Sequence, residues 1–225
     1  TYIVKNFEMN LLQSIDLYCE RQNILFWSEP INALTNFFFI VFGLYLFFKT
    51  FNDKFSRVLS LELVIIGVFS FLFHTFANLL TAIMDTFSIL IFGFTYLFGA
   101  NFWFLNLSIT KSISGILIFV PYSILVTFFL QQFLGSMNGS AFYYSYVFLF
   151  LGYSIYLRKK NPYVSKNLFI CFFVLLISVI LRSIDHKFCS NLSLGTHFLW
   201  HILNSVVLGV SIITFYNKKV FLHKI

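Results

Sequence analysis

The chain has 225 residues, of which 59% are hydrophobic, 22% aromatic and only 10% charged, with a formal net charge of +7. A soluble domain carries about 25% charged residues, so this composition excludes a water-soluble globule. The basic residues lie in short stretches between apolar runs, where they act as topology signals; a nucleic-acid partner is therefore not expected.

Residues 1–30 are too polar for a signal-peptide core and read as an extracytoplasmic N-terminal segment. Within it, Asp16, Glu20, Asn23 and Glu29, followed by Asn32, offer many oxygen donors over a short interval. Hard cations such as calcium take six to eight oxygen ligands, so a calcium site is one reading. The spacing is not that of an EF-hand loop. The other reading is an interfacial segment, with Trp27 at the lipid headgroups and Pro30 opening the first helix.

Seven apolar stretches follow, each near the ~20 residues a membrane helix needs: 31–49, 57–77, 81–105, 113–132, 139–157, 166–181 and 195–216. They are hydrophobic all round, as helices surrounded by lipid should be. The short links between them predict one domain over residues 1–225, an all-α bundle of seven transmembrane helices, with a cytoplasmic tail at 217–225. Of the fifteen Lys and Arg residues, Lys5, Arg21, Arg182 and Lys187 fall on the N-terminal side and all others on the C-terminal side. The positive-inside rule then places the N-terminus outside and the C-terminus in the cytoplasm.

Ionisable groups inside lipid are costly and are functional-site candidates by default. In this topology His74 ends the second span, Asp85 opens the third, and His197 and His201 open the seventh, so all four lie at one depth on the outer side. His197 and His201 are one helical turn apart and project from one face, a spacing suited to two ligands of one metal ion. His74 supplies a third ligand, and a water completes the open fourth position of a catalytic zinc site. Asp85 could orient or deprotonate that water. Ser70, one turn from His74, could donate to the oxyanion formed from an amide carbonyl, or bond back to its own helix. A haem held by His74 and His197 would leave His201 and Asp85 without a role.

His186, in the outer loop, and His223, in the tail, are expected to face solvent. Asp185 either pairs with Arg182 or caps the loop; contact with the active site is the lesser alternative. Cys19 and Cys189 both fall on the outer, oxidising side, where they either join or remain free thiols. Cys171 is expected to act as a small apolar side chain.

Three stretches together resemble the alkaline ceramidase family, within the seven-span hydrolase-like membrane proteins that include the progestin and adiponectin receptors. They are Y-C-E-R-Q-N-I-L-F-W-S-E-P-I-N-A-L-T-N at Tyr18–Asn36, S-F-L-F-H-T-F-A-N-L-L-T-A-I-M-D at Ser70–Asp85, and D-H-K-F-C-S-N-L-S-L-G-T-H-F-L-W-H at Asp185–His201. The C-E-R and G-T-H-F-L-W-H wording is similar to the bacterial branch, which implies a bacterial inner membrane. The resemblance implies zinc on His74, His197 and His201, catalytic partners in Ser70 and Asp85, a Cys19–Cys189 disulfide, and calcium in the N-terminal segment. The implied reaction is hydrolysis of the amide of a ceramide or related N-acyl lipid to a sphingoid base or amine and a fatty acid. Two features depart from the family pattern. Asp16 is one residue out of register with Cys19 and Glu20, Leu17 standing at the matching position, and T-F-S follows Asp85.

The leading expectation is thus a monomeric zinc amidohydrolase whose lipid substrate enters from the bilayer. The alternatives are a non-enzymatic lipid receptor or regulator that keeps a zinc ion, and a haem-bearing electron carrier.

Overall fold

A computed structural model describes residues 10–222. His223, Lys5 and Lys224, which entered the sequence reading, lie outside the described residues. The chain is built from apolar helices, and its only strand-like feature among the described residues is an isolated bridge between Ser14 and Asn78. The helices are α1 (Pro30–Lys49), α2 (Lys54–Phe76), α3 (Leu79–Phe104), α4 (Ile109–Leu134), α5 (Ala141–Leu157), α6 (Pro162–Ser183) and α7 (His197–Leu222). Six are long and apolar enough to cross a membrane, and α5 is a shorter apolar helix. The protein is therefore a membrane protein.

Local chemistry marks most helix starts. Asp53 accepts from the Ser56 amide at the head of α2, and Ser108 and Asn161 do the same at α4 and α6. Pro30 and Pro162 occupy the first turns of α1 and α6, where a missing N–H costs nothing. Asn78 forms a capping box with Thr81 at α3. The preceding Ala77 takes the left-handed conformation (φ 40°) that ends α2. This two-residue turn folds α3 back on α2 and brings Asp85 alongside the last turns of α2. Residues of the N-terminal segment add a short ladder to the same turn, from Ile15 N to Ala77 O (2.7 Å), Leu79 N to Gln13 O (3.1 Å) and Leu80 N to Leu11 O (2.9 Å).

The apolar core includes a cluster among α1, α2, α3 and α7, where Phe39, Leu46, Leu59, Leu63, Ile66, Phe92 and Ile212 interlock, and two more that bring in α5 and α6. Close approach of α1 to α2 depends on small residues. A Cβ added at Gly67 would stand 2.7 Å from the Ile40 side chain and 3.0 Å from the Asn36 carbonyl, closer than packing permits. This is the small-residue contact that membrane helices use to associate. The opposite extreme is α4, which leaves Leu117, Ile118, Ile124, Leu125, Phe128 and Phe129 exposed, a lipid-facing surface.

Several boundaries differ from the sequence expectation, most clearly those of the last and fifth spans. The last helix does not stop at residue 216; it continues to Leu222, so the stretch read as a tail from 217 is helical at its start. Its Lys219 is held in place by an ion pair with Asp53 and by the rings of Trp103 and Phe215. The fifth span begins as two 3-10 turns, Met137–Gly139 and Ala141–Tyr143, before the α-helix of Tyr144–Leu157.

Candidate metal centre

The three histidines converge. His74 comes from the last turn of α2, and His197 and His201 from the first two turns of α7. Each is 1–2% exposed, and their ligand atoms lie within 4.8 Å of one another. The ring centroids are 4.6–5.1 Å apart. This group could hold a metal ion.

The hydrogen bonds around the rings decide which nitrogens are free. His74 Nδ1 meets Glu29 Oε2 at 2.6 Å; a carboxylate can only accept, so Nδ1 carries the hydrogen, and in the neutral imidazole that leaves the lone pair on Nε2. His201 Nδ1 is 2.9 Å from Thr35 Oγ1, while that hydroxyl faces the carbonyls of Ile31 (2.8 Å) and Asn32 (3.0 Å). The single hydroxyl hydrogen goes to those carbonyls, so Thr35 accepts from His201 Nδ1–H. His201 Nε2 is left free in the same way. Partners of this kind orient metal-binding imidazoles and raise their basicity. His197 Nδ1 is buried with no hydrogen-bond partner. A buried, unpaired ring nitrogen costs free energy, and coordination would remove that cost. The donor set therefore fits a divalent metal.

The N-terminal segment forms the rim. Tyr18 stacks on His197 with centroids 3.6 Å apart at 17°, and its hydroxyl accepts from Arg182 Nη2 at 3.1 Å. Burial raises the Tyr18 phenol well above its usual range, which keeps it neutral. A disulfide joins Cys19 to Cys189, tying this segment to the loop before α7. Asp185, fully buried, accepts from three backbone amides, Cys19 N (3.0 Å) on Oδ2 and Thr196 N (2.6 Å) and His197 N (2.9 Å) on Oδ1. Of its two expected roles it takes the cap: it closes the start of α7 and sets the height of His197. Arg182 instead bonds Asn138 O, Ser140 Oγ and Tyr18.

Asp85 stands beside the histidines without joining their ligand group. Its carboxylate interacts with Ser70, His74 and Arg182, and its Oδ1 is buried without a partner. Ser70 is itself 4% exposed. Thus Ser70, His74, Asp85, His197 and His201 are brought together. The proposed calcium donors are exposed or engaged by other groups. Asp16 is exposed. Both oxygens of Glu20 cap α1, on Ile31 N (2.7 Å) and Asn32 N (2.8 Å). Asn23 Oδ1 accepts from Leu25 N and Ser28 Oγ, and both oxygens of Glu29 are taken by Arg21 and His74. Burial pushes the Glu20 carboxyl up. Burial also pushes Glu29 up, but His74 and Arg21 outweigh it and hold Glu29 below its usual range. His186 is exposed beside the disulfide. Cys171 is buried against Val207 and Ser211.

Sequence reasoning did not assign Glu29, Thr35 or Tyr18 to the centre and gave Asp185 contact with it only as a lesser alternative. All four lie inside the stretches that carried the resemblance, Tyr18–Asn36 and Asp185–His201, which were the hint available.

Below the centre is an apolar cavity of about 100 Å³. Its lining continues the site by about one turn on each contributing helix: Phe39 after Thr35, Ile66 before Ser70, Ile89 after Asp85, and Asn204 after His201.

The described residues thus form an all-helical bundle of apolar helices with a buried three-histidine group that could hold a metal ion and an unpaired carboxylate oxygen beside it, the kind of donor set that open catalytic metal sites use. The sequence matches the Ceramidase family model over residues 14–223, nearly the whole chain, and the protein belongs to that family. It is accordingly a hydrolase acting on amide bonds. No curated protein matches it individually.

Proposed function

We propose that the protein is a zinc-dependent intramembrane amidohydrolase that cleaves the amide of a ceramide or related N-acyl lipid. The single observation carrying this reading is the histidine cage, two of whose imidazoles have Nδ1 engaged and Nε2 free. Imidazole nitrogens with no thiolate nearby favour zinc among the common divalent ions. When bound, zinc would act as a Lewis acid toward the amide carbonyl and make water a competent nucleophile near neutral pH.

The chain's own residues do the rest. Asp85 Oδ1 receives the proton of the attacking water and returns it to the leaving amine, because it is a buried carboxylate oxygen without a partner and its carboxylate interacts with His74. Ser70 has one hydrogen to give. Its interaction with Asp85 makes it first a holder of that carboxylate, and it can turn to the developing oxyanion only when Asp85 accepts elsewhere. One lipid chain lies in the cavity below, which Trp200 also lines, and Tyr18 shields the amide from bulk water. The substrate enters laterally from the bilayer, the protein acts as a monomer, and all 225 residues form one domain.

Purified protein in detergent should carry about one zinc ion per chain and release fatty acid from a panel of ceramides and N-acyl amines. His197→Ala should abolish turnover and zinc retention while the helical circular dichroism is kept. Undiminished hydrolysis by that variant would reject the site. Ile89→Trp, which fills the cavity one turn below Asp85, should shift the preference toward shorter acyl chains.

A further inference from the structure

The oxygen-rich N-terminal stretch suggested a calcium site, yet a cation of another kind already occupies its centre. Arg21 is 6% exposed. Its guanidinium donates from Nε to Glu29 Oε1 at 2.5 Å, from Nη1 to the Asn23 carbonyl at 3.1 Å, and from Nη2 to the His74 carbonyl at 3.0 Å. These acceptors come from the entrance of α1, from the loop before it and from the last turn of α2. One planar cation therefore ties the loop before α1 and the entrance of α1 to the end of α2, 53 positions away.

Calcium does not fit the same oxygens. It needs six to eight of them at 2.3–2.6 Å. Here Glu20 is committed to the amides of α1, Asn23 Oδ1 to its own loop, and Asp16 is exposed. An ion would have to expel the guanidinium and uncap a helix. Arg suits the place because its rigid fork of donors can meet several acceptors at once, which an ammonium cannot.

We propose that Arg21 is a resident cation standing where a divalent ion would otherwise be needed, and that it is a positioning residue: it holds Glu29 against His74 and thereby sets the metal affinity of the histidine centre. Arg21 meets the backbone carbonyl of His74 but none of the imidazole nitrogens. It acts through Glu29, whose second oxygen accepts from His74 Nδ1–H. The positioning role rests on the reading that the three histidines hold a metal ion, whereas the exclusion of calcium does not.

The test uses the full chain in detergent micelles. First, calcium chloride is titrated to millimolar levels while the thermal unfolding midpoint is read; the midpoint should not move. Second, the cobalt-substituted protein is compared with Arg21→Met and Arg21→Lys by its visible absorption and by its affinity for cobalt. Arg21→Met should bind the metal about 10–100-fold more weakly, the usual effect of losing an outer-shell partner, with an altered cobalt spectrum. Arg21→Lys should recover part of that loss, since it keeps a charge beside Glu29. A calcium-dependent rise of the wild-type midpoint would overturn the proposal. So would a folded Arg21→Met with wild-type cobalt affinity and spectrum. If Arg21→Met does not fold, Arg21→Lys decides, and full wild-type affinity with an unchanged spectrum there overturns the need for the fork. Wild-type protein that takes up neither zinc nor cobalt would overturn the metal reading itself and the positioning role with it.

Discussion

At the scale of single residues, the centre is defined as much by what the imidazoles touch as by the imidazoles. His74 and His201 each give Nδ1–H to a fixed oxygen, on Glu29 and Thr35, so their tautomers are set before any metal arrives. Glu29→Gln tests this directly. The amide keeps the size and an accepting oxygen but loses the charge, so His74 becomes less basic. Zinc affinity measured with a competing chelator should fall about 10–100-fold, with the overall fold retained. Affinity equal to wild type would show that the charge of Glu29 is irrelevant to the centre. The histidines themselves were legible in the sequence because charged or polar groups in apolar runs are rare enough to stand out. Glu29 and Thr35 were not, because they reach His74 and His201 across 45 and 166 positions, and no local pattern encodes such a contact.

At the scale of elements, α1, which carries Thr35, and α7, which carries two of the histidines, share a device. The N-termini of α1 and α7 are closed by carboxylates from elsewhere in the chain, Glu20 and Asp185. An acid at a helix N-terminus satisfies free amides and the helix dipole together, and using a distant acid makes each cap a tie between segments. At the other end of the bundle, Asp53 does both jobs: it caps α2 through Ser56 and pairs with Lys219 of α7. Burial pushes the Asp53 carboxyl up, but Lys219 and Ser56 more than offset this and hold it below the ordinary Asp value. A lowered folded-state pKa adds stability at higher pH, and that contribution is lost as the pH falls below 3.8, the ordinary value. Asp53→Asn should keep the cap and lose the ion pair, a small effect for a partly exposed pair. Asp53→Ala should lose the cap as well, a further ~1 kcal/mol. Thermal unfolding should therefore rank wild type above Asn above Ala, and the gap between wild type and Asn should close as the solution is acidified below 3.8. The existence of these helices was legible from apolar length alone. Their ends were less so. Asp53 and Asn161 extend α2 and α6 backward into polar flanks, and tertiary contacts of Lys219 carry α7 past its apolar run.

At the scale of the whole molecule, we propose that the chain crosses the membrane seven times, with the N-terminus and the centre outside and the C-terminus in the cytoplasm. The strong bias of Lys and Arg toward one set of loops supports this, as does the disulfide at the centre's rim, a bond favoured in oxidising compartments. In a variant with its native thiols removed, a cysteine introduced at His186 should react with a membrane-impermeant maleimide in intact cells. One introduced at Lys159 should react only after the cells are opened. The opposite pattern would invert the topology. By itself the amino-acid sequence determined the solvent, the number of apolar helices, the three histidines and the family. These follow from composition, segment length and short motifs, which are local properties. Tertiary structure alone decided which oxygens face the imidazoles, that Asp185 caps α7 rather than pairing with Arg182, and that a guanidinium fills the oxygen-rich pocket near the cage. Each of those depends on side chains meeting across packed helices, where the geometry of the bundle chooses among partners that are chemically equivalent in one dimension.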